Sequence, residues 1–176
     1  MKLPKYAVLE NERRFLVAPG VAADLAISAR RLIRDRYIDG GRLRLRSVTD
    51  EVSGEREFKL CKKYGSADPL SEPIVNIYLT EAEHAAFAIL AGADVEKRRC
   101  TVEFAGRPFS VDLFTGALAG LAICEAEAPT RDDIAQLRFP PWAAVEITGD
   151  AAFSGAALAT CEPRTTLARA RALLAP

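Results

Sequence analysis

The sequence has no excess of either charge, because lysine plus arginine and aspartate plus glutamate each number 24 in its 176 residues. This balance argues against a nucleic-acid-binding protein that depends on bulk positive charge. Long hydrophobic runs are also missing, since the longest apolar stretch, near residues 118–124, is far too short to span a bilayer. The N-terminus leads into a charged strand instead of an apolar signal core, so we expect a cytoplasmic protein without a membrane partner.

Cysteine and histidine are scarce. The four cysteines are widely separated and form no C-x-x-C pair, so they are interpreted as buried or half-buried thiols, not as disulfides or zinc ligands. The single histidine, His84, follows a helix-capping sequence and is interpreted as a surface residue, not a catalyst. Apolar residues make up 49% of the chain, enough for a sizeable core. We therefore expect one domain over residues 1–176, ending in a helix at about 163–175.

Alternation of apolar and polar residues predicts about eight strands with two or three connecting helices, a pattern typical of an α+β protein dominated by antiparallel sheet. The strands are predicted at residues 9–17, 31–38, 42–48, 55–62, 74–79, 95–104, 109–114 and 121–128. Asp39-Gly40-Gly41 predicts a hairpin turn, and Thr80 with Glu83 predicts a capping box at the start of a helix. A short helix is also predicted over residues 21–29.

The polar faces of these strands are ionic, and the signs are sorted strand by strand. The acidic pairs are Glu10 with Glu12 and Glu125 with Glu127, and the basic positions are Arg42, Arg44, Arg46, Lys59, Lys97 and Arg99. A closed barrel with ionic side chains inward and apolar ones outward under helices explains both faces and leaves no free edge. Such a lumen must hold water, ions and a charged ligand, because unpaired buried charge is costly. An open sheet with a solvated charged face is the alternative.

The order of these charged positions resembles a known family, the CYTH domains or triphosphate tunnel metalloenzymes. Their N-terminal strand carries E-x-E-x-K, and this chain has Glu10-x-Glu12-x-Arg14. Six further motifs have counterparts in the same order along nearly the whole chain: Arg44-Leu45-Arg46, Lys59, Lys97-Arg98-Arg99, Asp112, Glu125-Ala126-Glu127 and Trp142 through Glu146-Ile147-Thr148. The resemblance implies a closed eight-stranded antiparallel tunnel that binds a triphosphate and a divalent metal.

The resemblance also implies a role for each ionic group. Arginine and lysine supply fixed donors for phosphate oxygens, and the expected triphosphate-binding residues are Arg44, Arg46, Lys59, Lys97 and Arg99. Carboxylates would repel this substrate unless they held cations, so we expect Mg²⁺ or Mn²⁺ as cofactor. The expected metal ligands are Glu10, Glu12, Glu125 and Glu127, with Asp112 and Glu146 as outer or additional ligands. Glu10, Glu12 and Arg14 are the expected catalytic residues, and a cross-strand salt bridge is the alternative for each.

Characterised members of this family hydrolyse inorganic triphosphate or thiamine triphosphate, and one branch cyclises ATP. We therefore expect metal-dependent hydrolysis of a short triphosphate, with inorganic triphosphate favoured and no base-recognition element evident in the sequence. Two departures leave a non-catalytic module for triphosphate, polyphosphate or nucleotides as the alternative. Arg14 stands where lysine is usual, and residues 72–79 lack the R-x-E-x-E carboxylates, with only Glu72 charged. The apolar outer faces of the strands are also compatible with a homodimer interface.

Overall fold

The computed structural model describes residues 3–18, 20–21 and 30–175. Its strands are β1 Val8–Val17, β2 Arg31–Ile38, β3 Leu43–Asp50, β4 Arg56–Lys63, β5 Ser71–Leu79, β6 Gly92–Phe104, β7 Arg107–Phe114, β8 Ala122–Glu127 and β9 Ala143–Glu146. The helices of this described part are α1 Glu81–Ala88, α2 Arg131–Gln136, α3 Gly155–Thr160 and α4 Pro163–Leu174. The helix predicted over residues 21–29 lies outside the described residues, apart from residue 21.

Eight antiparallel strands form a closed ring in the order β5-β4-β3-β2-β6-β7-β8-β1. The ring closes because β1 pairs with β8 along one edge and, through residues 8–11, with β5 along the other. Beyond that pairing, the end of β1 pairs with β9, where Phe15 lies opposite Glu146. The closed eight-stranded antiparallel barrel with flanking helices that the sequence predicts is confirmed, and β9 is a short addition to the ring.

The outward positions of β1, β6, β7 and β8 form an apolar layer under a helix. Phe15 of β1 packs with Cys124 of β8 and with Ile134 of α2 in one buried cluster. The segment after α2 completes the cover, since the Phe139 ring stacks on the Phe15 ring with 4.1 Å between centroids. Full burial of each large apolar side chain stabilises the fold by about 1.5–3 kcal/mol. This layer therefore holds the wall whose inner face carries the charged residues.

One end of the lumen is filled by apolar side chains, which we call the apolar plug. Its members are Leu16, Val95, Phe114, Ile123, Phe153 and Leu158. The first four continue the inward alternation of β1, β6, β7 and β8 beyond the charged positions. Phe153 comes from a short 3₁₀ turn and Leu158 from α3, so the segments that follow β9 close this end. The charged part of the lumen is therefore bounded by hydrocarbon on that side.

Local sequence signals set several element boundaries as expected. Helix α1 begins at a complete capping box, in which the Thr80 hydroxyl accepts from Glu83 N and the Glu83 carboxylate accepts from Thr80 N. His84 of this helix is half-buried, with its ring 4.7 Å from the ring of Phe58. All four cysteines are free thiols, three of them buried and Cys161 half-buried, as predicted. Within the described residues, no helix combines the length and apolarity that crossing a membrane requires.

Candidate active site

All eight strands of the ring place ionisable side chains on the inner face. The cations include Arg14, Arg44, Arg46, Lys59, Lys63, Lys97 and Arg99, and the carboxylates include Glu10, Glu12, Asp35, Glu72, Asp112, Glu125 and Glu127. The side chains divide into an acidic cluster, a mixed network below the apolar plug and an arginine pair on β3.

Three carboxylates form the acidic cluster. Oxygen atoms of Glu10, Glu12 and Glu127 lie within 4.8 Å of one another, because β1 and β8 pair with Glu12 opposite Glu127. Loss of hydration and the nearby charge of Glu125 raise the pKa of Glu12 from 4.5 to about 7, against the opposing effect of Arg14. Loss of hydration and Glu10 likewise raise the pKa of Glu127. Three converging carboxylate oxygens are suited to Mg²⁺ or Mn²⁺, which prefer oxygen ligands.

Lys63, which lies one residue beyond the strand predicted over residues 55–62, contacts this cluster. It is the last residue of β4, and its ammonium group forms an ion pair with Glu10 and lies 3.6 Å from a carboxylate oxygen of Glu72. Burial lowers its pKa, but the charges of Glu12 and Glu10 outweigh that effect and raise it above the usual value. The signal that could have found it is the period of two that relates Lys59, Cys61 and Lys63.

Two predicted metal ligands, Asp112 and Glu125, lie in a network of cations. The fully buried Asp112 accepts hydrogen bonds from Arg99 Nε and Nη2 at 2.6 and 2.7 Å and forms an ion pair with Lys97. Arg99 Nη2 also donates to Glu125 Oε2 at 2.6 Å. Burial alone would raise the pKa of Glu125, but Lys97 and Arg99 hold it well below the usual value. In this arrangement Asp112 positions Arg99 and Lys97, the two predicted phosphate-binding residues of β6, and Glu125 holds Arg99 from the other side.

Arg14 connects the acidic cluster to this network. Its Nε donates to Glu125 Oε1 at 3.0 Å and lies 3.4 Å from Glu12 Oε1, while Nη1 donates to the carbonyl oxygen of Phe153 at 2.9 Å. Burial lowers the pKa of Arg14, but the charges of Glu125 and Glu12 outweigh that effect. The pKa is therefore raised above its usual value, and the side chain stays protonated. It supplies a fixed positive charge, and it also ties the apolar plug to the charged lumen.

The two arginines of β3 share a carboxylate that sequence reasoning missed. Asp35 of β2 is buried opposite Arg46, which donates to both of its oxygens, and Arg44 Nε lies 3.8 Å away. Burial raises the pKa of Asp35, but Arg46 and Arg44 lower it to about 2. Arg44 Nε is buried and has no hydrogen-bond partner among the described residues. Because buried donors are almost always satisfied, this N–H is open to an oxygen atom of a ligand or of water.

Lys59 stands at the exposed side of the same arginine pair. Register places Lys59 opposite Arg46 on one neighbouring strand and opposite Tyr78 on the other. Its ammonium group lies 2.8 Å from a Glu57 oxygen and 4.8 Å from the centre of the Tyr78 ring. Lys59 is therefore on the inner face, as its predicted phosphate-binding role requires, but nearer to solvent than Arg46.

Glu146, the remaining predicted metal ligand, lies on the outer surface. Strand β9 pairs with β1 so that Glu146 is opposite Phe15, which is an outward residue. Arg13 donates to both Glu146 oxygens, from Nε at 2.8 Å and Nη2 at 2.7 Å, and Thr148 Oγ1 donates to Oε1 at 2.8 Å. The structure thus separates Glu146 from the acidic cluster, because residues of β9 and β1 that face each other share the same side of the wall.

Comparison with known proteins adds relatives that match nearly the whole chain. An inorganic triphosphatase from Nitrosomonas europaea is 31% identical over 156 residues, which cover 88% of this chain and 99% of that protein. A crystal structure of an inorganic triphosphatase superposes with a TM-score of 0.55 at 24% identity, over 89% of this chain and 97% of that one. A candidate adenylate cyclase from Bacillus halodurans gives 0.52 at 15% identity, over 74% and 86%. No protein-family model matches the chain.

Proposed function

Because this chain belongs to the family of the inorganic triphosphatase of Nitrosomonas europaea, we propose that it is a metal-dependent phosphohydrolase that cleaves inorganic triphosphate in its barrel lumen. We also propose that this family is the triphosphate tunnel metalloenzymes, or CYTH domains. One observation carries the proposal. A cluster of three carboxylates shares one lumen with the arginines that pair with Asp112, Glu125 and Asp35.

The charge balance of the lumen supports binding of a cation together with a polyphosphate. The acidic cluster shares the lumen with the cations, so a polyanion alone would also meet uncompensated negative charge. A divalent ion at Glu10, Glu12 and Glu127 would offset the acidic cluster and leave the arginines and lysines to the phosphates. The affinities for ion and polyphosphate are therefore expected to rise together.

The chain's own residues supply orientation and charge. Arg46 and Arg99 are each held by a carboxylate through two hydrogen bonds, so their free N–H groups have fixed directions toward the lumen. Arg44 Nε has no hydrogen-bond partner among the described residues, so it is available to a phosphate oxygen. The apolar plug excludes water from one side, which strengthens charge interactions beside it. A bound Mg²⁺ or Mn²⁺ would neutralise phosphate oxygens and lower the pKa of a bound water.

The test is phosphate release from inorganic triphosphate, ATP and thiamine triphosphate with Mg²⁺, with Mn²⁺ and with EDTA. We expect EDTA-sensitive release from inorganic triphosphate. Glu12→Gln should lower it at least about 10- to 100-fold, the usual cost of disturbing a metal site. Glu146→Gln is the matched control, because it changes a carboxylate on the outer surface and should leave release unchanged.

A non-catalytic triphosphate-binding module is the second candidate, and strand β5 favours it. The inner positions after Glu72 are Ile74 and Asn76, so β5 adds a single carboxylate, while Lys63 already neutralises Glu10. If no substrate releases phosphate but inorganic triphosphate with Mg²⁺ raises the melting temperature, the hydrolase proposal is wrong and the module is supported.

A further inference from the structure

We propose that the exposed edge of β5 is a dimer interface, at which residues 75–79 pair antiparallel with the same segment of a second copy of this chain. A two-fold axis through Ile77 relates the two barrels, and each copy extends the sheet of the other. This assembly goes beyond the proposed hydrolysis and does not depend on it.

Strand β5 has a strand on both sides only at its beginning. Residues 74–79 pair with β4, whereas β1 reaches only residues 71–74. On the side of β1, the part of the chain that the structure describes offers no backbone hydrogen bond to residues 75–79. We call this side of residues 75–79 the free edge. An unpaired strand edge is a template on which another strand can pair.

The backbone groups that point out from the free edge belong to Asn76 and Tyr78. The N–H of Tyr64, the residue that follows β4, donates to the carbonyl oxygen of Pro73, so this odd-numbered residue of β5 directs its oxygen toward β4. Successive residues of a strand direct their hydrogen-bonding groups to opposite sides. The even-numbered Asn76 and Tyr78 therefore point away from β4, and both residues are exposed.

A two-fold axis through Ile77 satisfies all of these outward groups. In the antiparallel register, Asn76 of each copy faces Tyr78 of the partner subunit. Residues that face each other in a hydrogen-bonded pair exchange two N–H···O=C bonds. The two equivalent pairs together use every outward N–H and C=O of Asn76 and Tyr78 in both copies.

The side chains of the free edge also match a copy of themselves. At the axis, Ile77 faces Ile77 of the partner subunit in a non-hydrogen-bonded pair, where side chains are closest. This side chain lies on the outer face, opposite Leu60 of β4, and is 51% exposed in the single chain. On the same face, Val75 meets Leu79 of the partner subunit. The outer face of the interface therefore consists of apolar cross-strand pairs, which stabilise a sheet.

The charge pattern favours a second copy as the occupant. Strands that avoid edge pairing usually carry lysine, proline or a bulge, but residues 74–79 contain no charged side chain and no proline. Pro73 lies where β1 already pairs. The chain also has a formal net charge of zero, so two copies do not repel each other at long range.

Sedimentation equilibrium of the full chain tests the interface. The parent should form a reversible dimer with twice the 19.1 kDa mass of the chain. Asn76→Pro should raise the dimer dissociation constant by about 5- to 150-fold, because it removes one outward N–H per copy, a loss of two hydrogen bonds per dimer. Pairing with β4 should survive, since proline is tolerated at an edge position whose N–H faces solvent.

A second variant places charge at the axis. Ile77→Lys should give a monomer, since two like charges would lie directly opposite each other. Leu173→Lys is the matched control, an exposed leucine on α4, which packs near β9 and not near β5. Circular dichroism melts of all three variants check that each one is folded.

A cysteine cross-link tests the register. Ile77→Cys should form an interchain disulfide under mild oxidation, because a non-hydrogen-bonded pair places its Cα atoms about 4.5 Å apart, within disulfide range. Val75→Cys should not, since Val75 faces Leu79 of the partner subunit. The parent is the control, because its own cysteines are buried or half-buried.

Three results would overturn the interface. The first is a parent that stays monomeric up to about 0.1 mM, which would leave the free edge to an extended peptide of another protein. Another is a dimer that neither Asn76→Pro nor Ile77→Lys weakens. The third is a Val75→Cys variant that cross-links as readily as Ile77→Cys.

Discussion

Asp35 and Arg46 form a bidentate ion pair inside the barrel, with Arg46 Nε and Nη2 donating to the two carboxylate oxygens at 2.6 and 2.7 Å. The two residues face each other on β2 and β3. Because two parallel hydrogen bonds fix the plane of the guanidinium group, Arg46 is oriented before any ligand arrives. The buried Asp35 carboxylate thereby serves both the fold and the predicted phosphate site.

Acid should weaken the fold through Asp35. Its pKa is lowered from 3.8 to about 2, so its contribution to the free energy of unfolding is complete above about pH 4 and fades as the pH falls toward 2. The difference corresponds to about 2 kcal/mol. Asp35→Asn should lower the free energy of unfolding by about this amount at pH 7. It should also reduce the dependence of that free energy on pH between pH 4 and 2.

Urea unfolding at pH 7, 4 and 2.5 measures this effect. Asp94→Asn is the control, because Asp94 forms an exposed pair with Arg36 on the outer surface and should cost less than about 1 kcal/mol. A loss at Asp35→Asn that is the same at pH 2.5 as at pH 7 would contradict the assignment.

Removal of the Lys63 charge should make the protein more dependent on metal. Lys63→Met leaves Glu10 and Glu72 without their ammonium partner, so repulsion within the acidic cluster increases. Without metal, the melting temperature should fall by several degrees, since about 1 kcal/mol corresponds to 2–4 °C in a chain of this size. Added Mg²⁺ should then raise it more in the variant than in the parent.

Differential scanning calorimetry with and without Mg²⁺ checks this result. Lys62→Met, one residue earlier and on the other face of β4, should behave like the parent. Identical Mg²⁺-induced shifts in the Lys63 variant and the parent would show that Lys63 does not compete with metal.

Metal binding should release a proton near neutral pH. The pKa of Glu12 is raised from 4.5 to about 7, so part of the population is protonated at pH 6 and little at pH 8. Since a metal ligand must be ionised, affinity for Mg²⁺ should increase as the pH rises through about 7. Titration calorimetry in buffers of different ionisation enthalpy should detect proton release at pH 6 that is smaller at pH 8. Glu12→Gln should abolish it, and an affinity that is constant from pH 6 to 8 would refute this role.

Packing of α3 on the lumen should depend on the absence of a side chain at residue 155. A Cβ on Gly155 would collide with the hydroxyl group of Tyr37, whose ring belongs to the surroundings of the apolar plug. Gly155→Ala should therefore lower the free energy of unfolding by about 1–3 kcal/mol. Combining it with Tyr37→Phe removes the hydroxyl, so the double variant should lose less than the sum of the single variants. Strict additivity in urea unfolding would argue against this contact.

Much of this architecture was accessible from the sequence. Alternation in β1 and β3 showed which side chains share a face, and the sorting of charge predicted a closed barrel with an ionic lumen. The capping box at Thr80 gave the start of α1. These features depend on neighbours within a few residues, so local pattern is sufficient to find them.

The sequence could not place Glu146, Lys63 or Asp35. Glu146 was grouped with the metal ligands, yet β9 pairs with β1 in a register that turns it outward. Lys63 lies one residue beyond the predicted strand, whereas β4 extends to it, and the sequence around Asp35 gives no signal of its two arginine partners. In each case the partner is a residue more than eight positions away.

The sequence by itself determined which residues lie on the inner face of each strand, because side chains alternate with a period of two. Only the tertiary structure decided which of those residues meet, how deep each lies and which end is closed. Register between strands and tilt of the barrel set these relations, and both depend on packing across the whole ring. Tyr78 shows the difference: its alternation is visible in the sequence, but its exposed position opposite Lys59 exists only in the folded barrel.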